Sequence, residues 1–324
     1  MSAGKGQAQN YANTAWAFAT AGVAAPELYD AIARQVRARA GEFKAQELAN
    51  TAWAFATAGV SAPELFAAIA LEARRRVDEF KPQELANTAW AFATAGASAP
   101  ELYGAIAHAA RRRIRDFKSQ EFANTAWAFA TTGVAAPELF DAIAREARRR
   151  VNEMTPQELG NVAWAFAKAG VATPALFSTL ARVAQARIGD FTPQSLSNLA
   201  WSFATAEEVA PELFAAIARE ACSRVGDFSA QTLSNTAWAF ATAGVAAPEL
   251  YDAIARQAHV QMGTFKPQEL TNLGWAYAVA DVRSEVLFGA RSSFAVTRAG
   301  FGVIVLVPRP PRWSRHCAEL GWGF

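Results

Sequence analysis

The chain has 324 residues, 52% of them hydrophobic and 19% charged, which is ample for a buried core and excludes wholesale disorder. Its 31 basic and 29 acidic residues leave a net charge of only +2, so any polyanion must be met by segregated rather than overall charge. Two cysteines and three histidines exclude a disulfide framework, point to a reducing compartment and leave little for a metal or acid–base centre.

Eight tryptophans, Trp16, Trp53, Trp90, Trp127, Trp164, Trp201, Trp238 and Trp275, stand 37 residues apart without slippage. That phase means tandem repeats, numbered here 1 to 8 by these tryptophans. Gln stands seven residues and Asn three residues before the Trp in every copy; Gly follows six later in six copies, and Pro ten later in seven. Two helices per unit are predicted.

The first, helix A, is expected to begin within about ten residues of Met1 in repeat 1, with no arginine-rich presequence expected before it. In repeat 3 it runs from Lys81-Pro82-Gln83-Glu84 to Gly96. Proline and acid at the start and glycine just past the end are helix punctuation, and Thr155 to Glu158 reads as a capping box. At about 100° per residue, Leu85 and Phe92 lie opposite Trp90, with Ala filling the gaps. Helix A is therefore expected to be buried on nearly every side, with its Trp in the core and the indole N–H bonded to a partner such as the repeated Asn.

Helix B begins at a sequence such as Ala62 to Phe66 and is expected to end near Val77. Leu65, Phe66, Ile69, Ala73 and Val77 share one face, and Glu64, Arg74 and Arg75 the other, so this helix is amphipathic. Phe43, Phe80, Phe117, Phe191, Phe228 and Phe265, with Met154 in the same place, recur at the B-to-A connection as plugs between repeats. A hairpin of this size cannot bury its apolar face alone, so the expected fold is all-α: an α-solenoid of eight 37-residue repeats over residues 1–288, the eighth truncated. Residues 289–324 carry no repeat phase and are expected to be a disordered or non-native tail. The longest apolar run outside the alanine-rich segments, residues 299 to 307, falls well short of the ~20 residues that cross a bilayer. No membrane association is expected.

The segment Pro82 to Gly96, followed by Ala99 to Tyr103, resembles the octotricopeptide repeat. It is also similar to the leucine-rich helical repeats of FAST-kinase-like and RAP-domain proteins, although no RAP domain is visible and the unit is one residue shorter than usual. The resemblance spans roughly residues 9 to 288. It implies an RNA-binding protein of mitochondrial or chloroplast RNA metabolism, acting on transcript stability, splicing, processing or translation regulation, with single-stranded RNA as its partner. Protein partners are a second expectation, and a monomer a third. The competing reading is a protein-binding scaffold of the HEAT or armadillo kind, whose surfaces serve peptides equally well.

Charge placement bears on the RNA reading. Helix B ends in basic runs, and Arg37, Arg74, Arg75, Arg111, Arg112, Arg148 and Arg149 would align on stacking into a stripe suited to a phosphate backbone. The macrodipole alone also favours bases at helix ends, and residues 1–288 hold 26 bases against 28 acids. The repeated asparagines Asn13, Asn50, Asn87, Asn124, Asn161, Asn198, Asn235 and Asn272 are poor helix formers and need a reason. They could read base edges with an amide that donates and accepts, or form a structural ladder of hydrogen bonds; the ladder is the expectation. Any base code would then fall two residues before Trp, at Thr14, Thr88, Val162, Leu199 and Leu273, and if Asn itself reads bases the target is of low complexity. No phosphate loop, zinc-spaced Cys/His pair or nucleophile elbow is present. His108 and His259 read as surface residues and Cys222 as inert. Neither catalysis nor a cofactor is expected.

Overall fold

A computed structural model of the chain describes residues 3–171, 173–208, 210–288, 296–297 and 304–305. Its helices alternate in chain order as A and B members of the repeats: α1 (Ala3–Ala21), α2 (Pro26–Arg39), α3 (Ala45–Thr57), α4 (Pro63–Arg75), α5 (Pro82–Thr94), α6 (Pro100–Arg112), α7 (Ser119–Thr132), α8 (Pro137–Arg150), α9 (Pro156–Lys168), α10 (Pro174–Ala186), α11 (Pro193–Thr205), α12 (Pro211–Ser223), α13 (Ala230–Ala243), α14 (Pro248–Val260), α15 (Pro267–Val279) and α16 (Glu285–Phe288). Apart from a two-residue antiparallel ladder, Val296–Thr297 with Ile304–Val305, the described residues contain no strand. The expected tail lies otherwise outside the described residues.

The chain divides into two units, Met1–Phe191 with repeats 1 to 5 and Thr192–Phe324 with repeats 6 to 8. Within each, A helices pack on A helices and B helices on B helices, and neighbouring A helices lie much closer together than neighbouring B helices. Each unit is thus an α-solenoid of two layers, with the tighter row on the A side. Alanine makes that close approach possible: Ala52, Ala54, Ala89, Ala91, Ala126 and Ala128 are wholly buried.

The ends of the helices follow their residues. The backbone N–H of Lys44, Lys81, Lys118 and Lys266 donates to the carboxylate three residues on, at 2.7–2.8 Å, and at Thr155 the bond is returned by the Glu158 N–H to the Thr155 hydroxyl. Past the A helices Gly59, Gly96, Gly133, Gly170 and Gly244 take left-handed φ values of 61° to 69°. The Ala97 N–H then reaches the Phe92 carbonyl at 2.9 Å, closing the orphan carbonyls. Repeats 6 and 8 force Glu207 and Asp281 into the same conformation, at φ 55° and 54°. A left-handed non-glycine residue costs about 1–2 kcal/mol, so Glu207→Gly should stabilise the second unit by about 1 kcal/mol. A rise in its denaturant midpoint checks this, and a fall would mean that the Glu207 side chain contributes more than its strain.

Helix B gives way to a tighter turn close to its expected end near Val77. After Arg75 the chain passes into a 3-10 turn at Val77–Glu79, and Phe80 follows in extended conformation with its ring 1% exposed. The tighter turn shortens the last carbonyl gaps and swings the plug under the next A helix. Between repeats the core is sealed by aromatic pairs. Tyr29–Phe55, Phe66–Phe92, Tyr103–Phe129, Phe140–Phe166, Phe214–Phe240 and Tyr251–Tyr277 each meet edge to face with centroids 5.0 Å apart, a favoured quadrupole geometry. Where the B member is Tyr, its hydroxyl donates to the A-helix carbonyl of its own repeat, as Tyr103 does to Ala89 at 2.7 Å.

Candidate nucleic-acid interface

Helix A buries Leu85 and Phe92, and Phe92 meets Phe66 of the B layer, which leaves the opposite face of this helix with no second layer over it among the described residues. Gln83, Asn87, Trp90 and Thr94 follow one another at spacings of four, three and four residues, so they form one straight stripe on that face. Gln83 and Thr94 are exposed, and Asn87 and Trp90 half-buried. The same stripe recurs as Gln46, Asn50, Trp53 and Thr57 and as Gln120, Asn124, Trp127 and Thr131.

This corrects the expectation that the tryptophans form the core. Trp201 is 8% exposed, but Trp16 is 48% exposed and the other six are half-buried. Alanine made helix A look apolar all round, yet the B layer covers only one side of it. The indoles instead overlap like shingles along the A row. In the first unit the ring centroids from Trp16 to Trp164 are 6.4, 6.4, 6.4 and 6.2 Å apart, with planes inclined by 27° to 33°. In the second, Trp201, Trp238 and Trp275 follow at 6.3 and 6.1 Å.

The asparagine ladder is not formed. Asn50, Asn87, Asn124, Asn161, Asn198, Asn235 and Asn272 are half-buried and Asn13 is exposed, and among the described residues no hydrogen bond engages any of their side-chain amides. In the second unit a hydrogen bond between A helices is made one residue earlier, where the Ser234 hydroxyl donates to the Glu269 carbonyl at 2.8 Å. The suggested code positions fare differently. Thr88, Val162, Leu199 and Leu273 are at most 2% exposed and face inward, so they cannot meet a ligand; Thr14, half-buried in repeat 1, is the exception. Thr51, Thr125 and Thr236, at the same position, donate back to the carbonyl four residues earlier, satisfying themselves inside the helix.

The arginines lie on the other layer, at the ends of the B helices. Arg37 pairs with Glu64, Arg74 with Glu101, and Arg111 with Glu138 at 2.9 Å, each linking the end of one B helix to the start of the next. The series stops at Arg148 because Ala175 occupies the place of the glutamate, and Arg148 is exposed with no ion pair among the described residues. Arg75 contacts Glu72 at 3.4 Å, Arg112 contacts Asp78 at 3.7 Å, and Arg149 pairs with the buried Glu146, whose carboxyl it holds below the ordinary carboxylate range. The third arginine of each run behaves differently. Arg76, Arg113, Arg150 and Arg187 donate to the carbonyls of Phe43, Phe80, Phe117 and Met154 at 2.6–2.8 Å, always 33 residues back. These are joints between repeats.

Of the remaining polar candidates, His108 and His259 are exposed. Cys222 is a free, half-buried thiol whose pKa burial pushes up, and among the described residues no group of His, Cys, Asp and Glu is placed to hold a metal. No helix among the described residues is long and apolar enough to cross a membrane.

Compared with protein families, residues 2–219 match the family described as RESC6, RNA-editing substrate-binding complex 6 protein. No curated protein matches the chain.

Proposed function

The chain belongs to the RNA-editing substrate-binding complex 6 protein family, and on that premise we propose that it is a non-catalytic RNA-binding repeat subunit of an RNA-editing machinery. The observation that carries this reading is the stripe of Gln, Asn and half-buried Trp turned to solvent in repeat after repeat. Aromatic surface and unspent amides are what single-stranded RNA requires of a protein, because its unstacked bases offer flat faces and free hydrogen-bonding edges. The likeness of Pro82 to Gly96 to octotricopeptide and FAST-kinase-like repeats supports the same reading from the repeat's own residues. Family membership supports organellar RNA metabolism, with the mitochondrion as the compartment; the chloroplast has no such support. A family described as part of a complex also supports protein partners beside RNA.

Phosphate contacts fall to the exposed arginines Arg37, Arg74, Arg75, Arg111, Arg112, Arg148 and Arg149. The pairs of Arg37, Arg74, Arg111 and Arg112 with exposed carboxylates are no obstacle, since a surface pair contributes only about 0–1 kcal/mol and a phosphate can replace the carboxylate. Fluorescence anisotropy of the full chain with a labelled single strand and its duplex, across a salt series, tests the reading. Single-stranded RNA should bind at micromolar concentration or tighter and the duplex more weakly. Replacing Arg74, Arg75, Arg111, Arg112, Arg148 and Arg149 with Ala should flatten the salt dependence, by about 0.7 in log–log slope for each phosphate no longer neutralised. A slope unchanged by the six replacements would assign those arginines to solvent. Failure of any RNA to bind at low salt would overturn the function itself in favour of a protein scaffold.

A further inference from the structure

We propose that the A-helix face of the first unit binds a single-stranded tract of one base repeated, each of its repeats holding one nucleotide with its Asn amide and its indole; this rests on the RNA-binding reading above. Three observations carry it. First, the solvent-facing stripe scarcely varies. Gln, Asn and Trp are the same in all eight repeats, and the outermost position changes only at Lys168 and Val279. The variable position two residues before Trp is buried at Thr88, Val162 and Leu199. A surface that presents the same groups at each step cannot distinguish different bases at different steps, so the ligand that satisfies all of it repeats one base.

Second, the Asn amides are unspent. Each offers a donor and an acceptor on one plane, the pattern with which an amide reads a base edge, and none is engaged by the protein among the described residues. In a helix-disfavouring residue placed eight times on a wet face, that is the opposite of a structural arrangement. Third, the indole spacing selects an unstacked strand. Neighbouring rings in the first unit are 6.2–6.4 Å apart, nearly twice the ~3.4 Å at which nucleotides follow one another along a stacked strand. A strand in step with the row must open its stack, which presents each base singly to its own stripe. The indoles already neighbour one another at these distances, so bases lie over their exposed parts. The stripe itself is uncharged, and discrimination by it is therefore insensitive to salt, unlike attraction by the arginines.

The test is anisotropy of the full chain with labelled homopolymers of each of the four bases and a mixed-sequence strand of equal length, at low and high salt. One homopolymer should bind at least about tenfold tighter than the mixed strand, with the ratio unchanged by salt. In Asn50→Ala/Asn87→Ala/Asn124→Ala the ratio should fall to near one while salt-sensitive binding persists. Alanine is the better helix former at these half-buried sites, and an unchanged circular dichroism spectrum confirms the fold. If homopolymers and mixed strand bind within about twofold of one another, the tract inference falls and RNA binding stands. If the preference survives the triple variant, the assignment to Asn falls. If no strand binds, the RNA-binding reading fails and this inference with it.

Discussion

Phe92→Ala should destabilise the first unit by about 3–5 kcal/mol, the cost of emptying a fully buried phenylalanine site whose surroundings relax only in part. The ring is 1% exposed and lies edge to face with Phe66 of the preceding repeat, 5.0 Å away, so its loss removes both core volume and an inter-repeat seal. Because a solenoid is held by interactions between neighbours, the damage should concentrate in repeats 2 and 3. Chemical unfolding followed by circular dichroism measures the loss, and native-state hydrogen exchange locates it. Phe92→Leu should recover more than half. A cost under about 1 kcal/mol would mean that the joint collapses to fill the space, and the aromatic pairs would not be the seal between repeats.

Arg76→Ala should cost about 1.5–3 kcal/mol, the range for a hydrogen bond to a charged group, whereas Arg74→Ala, two residues away, should cost about 0–1 kcal/mol. The difference lies in what each touches. Among the described residues, Arg74 reaches only the exposed Glu101. Arg76 donates at 2.8 Å to the Phe43 carbonyl beneath the turn and is braced by Glu79 and Glu72, and it holds the Glu79 carboxyl below its ordinary range. Removing Arg76 leaves a carbonyl that water reaches poorly. In repeat 7 the same bond is made by Gln261, whose Nε2 lies 2.9 Å from the Phe228 carbonyl, so a donor of the right reach matters more than its charge. Arg76→Gln should therefore be milder than Arg76→Ala. Equal losses for the Arg74 and Arg76 replacements, measured by urea unfolding, would dissolve the distinction between surface arginines and joint arginines.

The repeat, its two helices and their caps were legible because each rests on a local residue preference repeated in phase. Trp90, Asn87, Pro100 and Gly96 stand at the same offsets in nearly every copy, and the structure places helix starts and ends beside them. The wet face of helix A was not legible. On a helical wheel an alanine counts as apolar whether a neighbour or water lies beyond it, and only the stacking of layers decides which. The asparagines held the missing signal, since a side chain that disfavours helix is seldom kept on a face with nothing to contact. The joint arginine hides in runs such as Arg74-Arg75-Arg76. Its trace is that Arg187 and Arg224 persist where the flanking arginines have gone, leaving one place in the turn that the fold itself requires.

The links between repeats are all short in sequence. Tyr29 meets Phe55, Arg76 meets Phe43 and Ser234 meets Glu269, separations of no more than 35 residues in a chain of 324. Within the repeats no described segment must find a distant one, so the entropic cost of closing loops is met in equal small steps, and contact order stays low however long the array grows. Folding can begin at any hairpin and spread outward, and lengthening or shortening the chain by one whole period presents the joints on either side with the same neighbours they had before. Growth by whole repeats is thus physically inexpensive for this architecture.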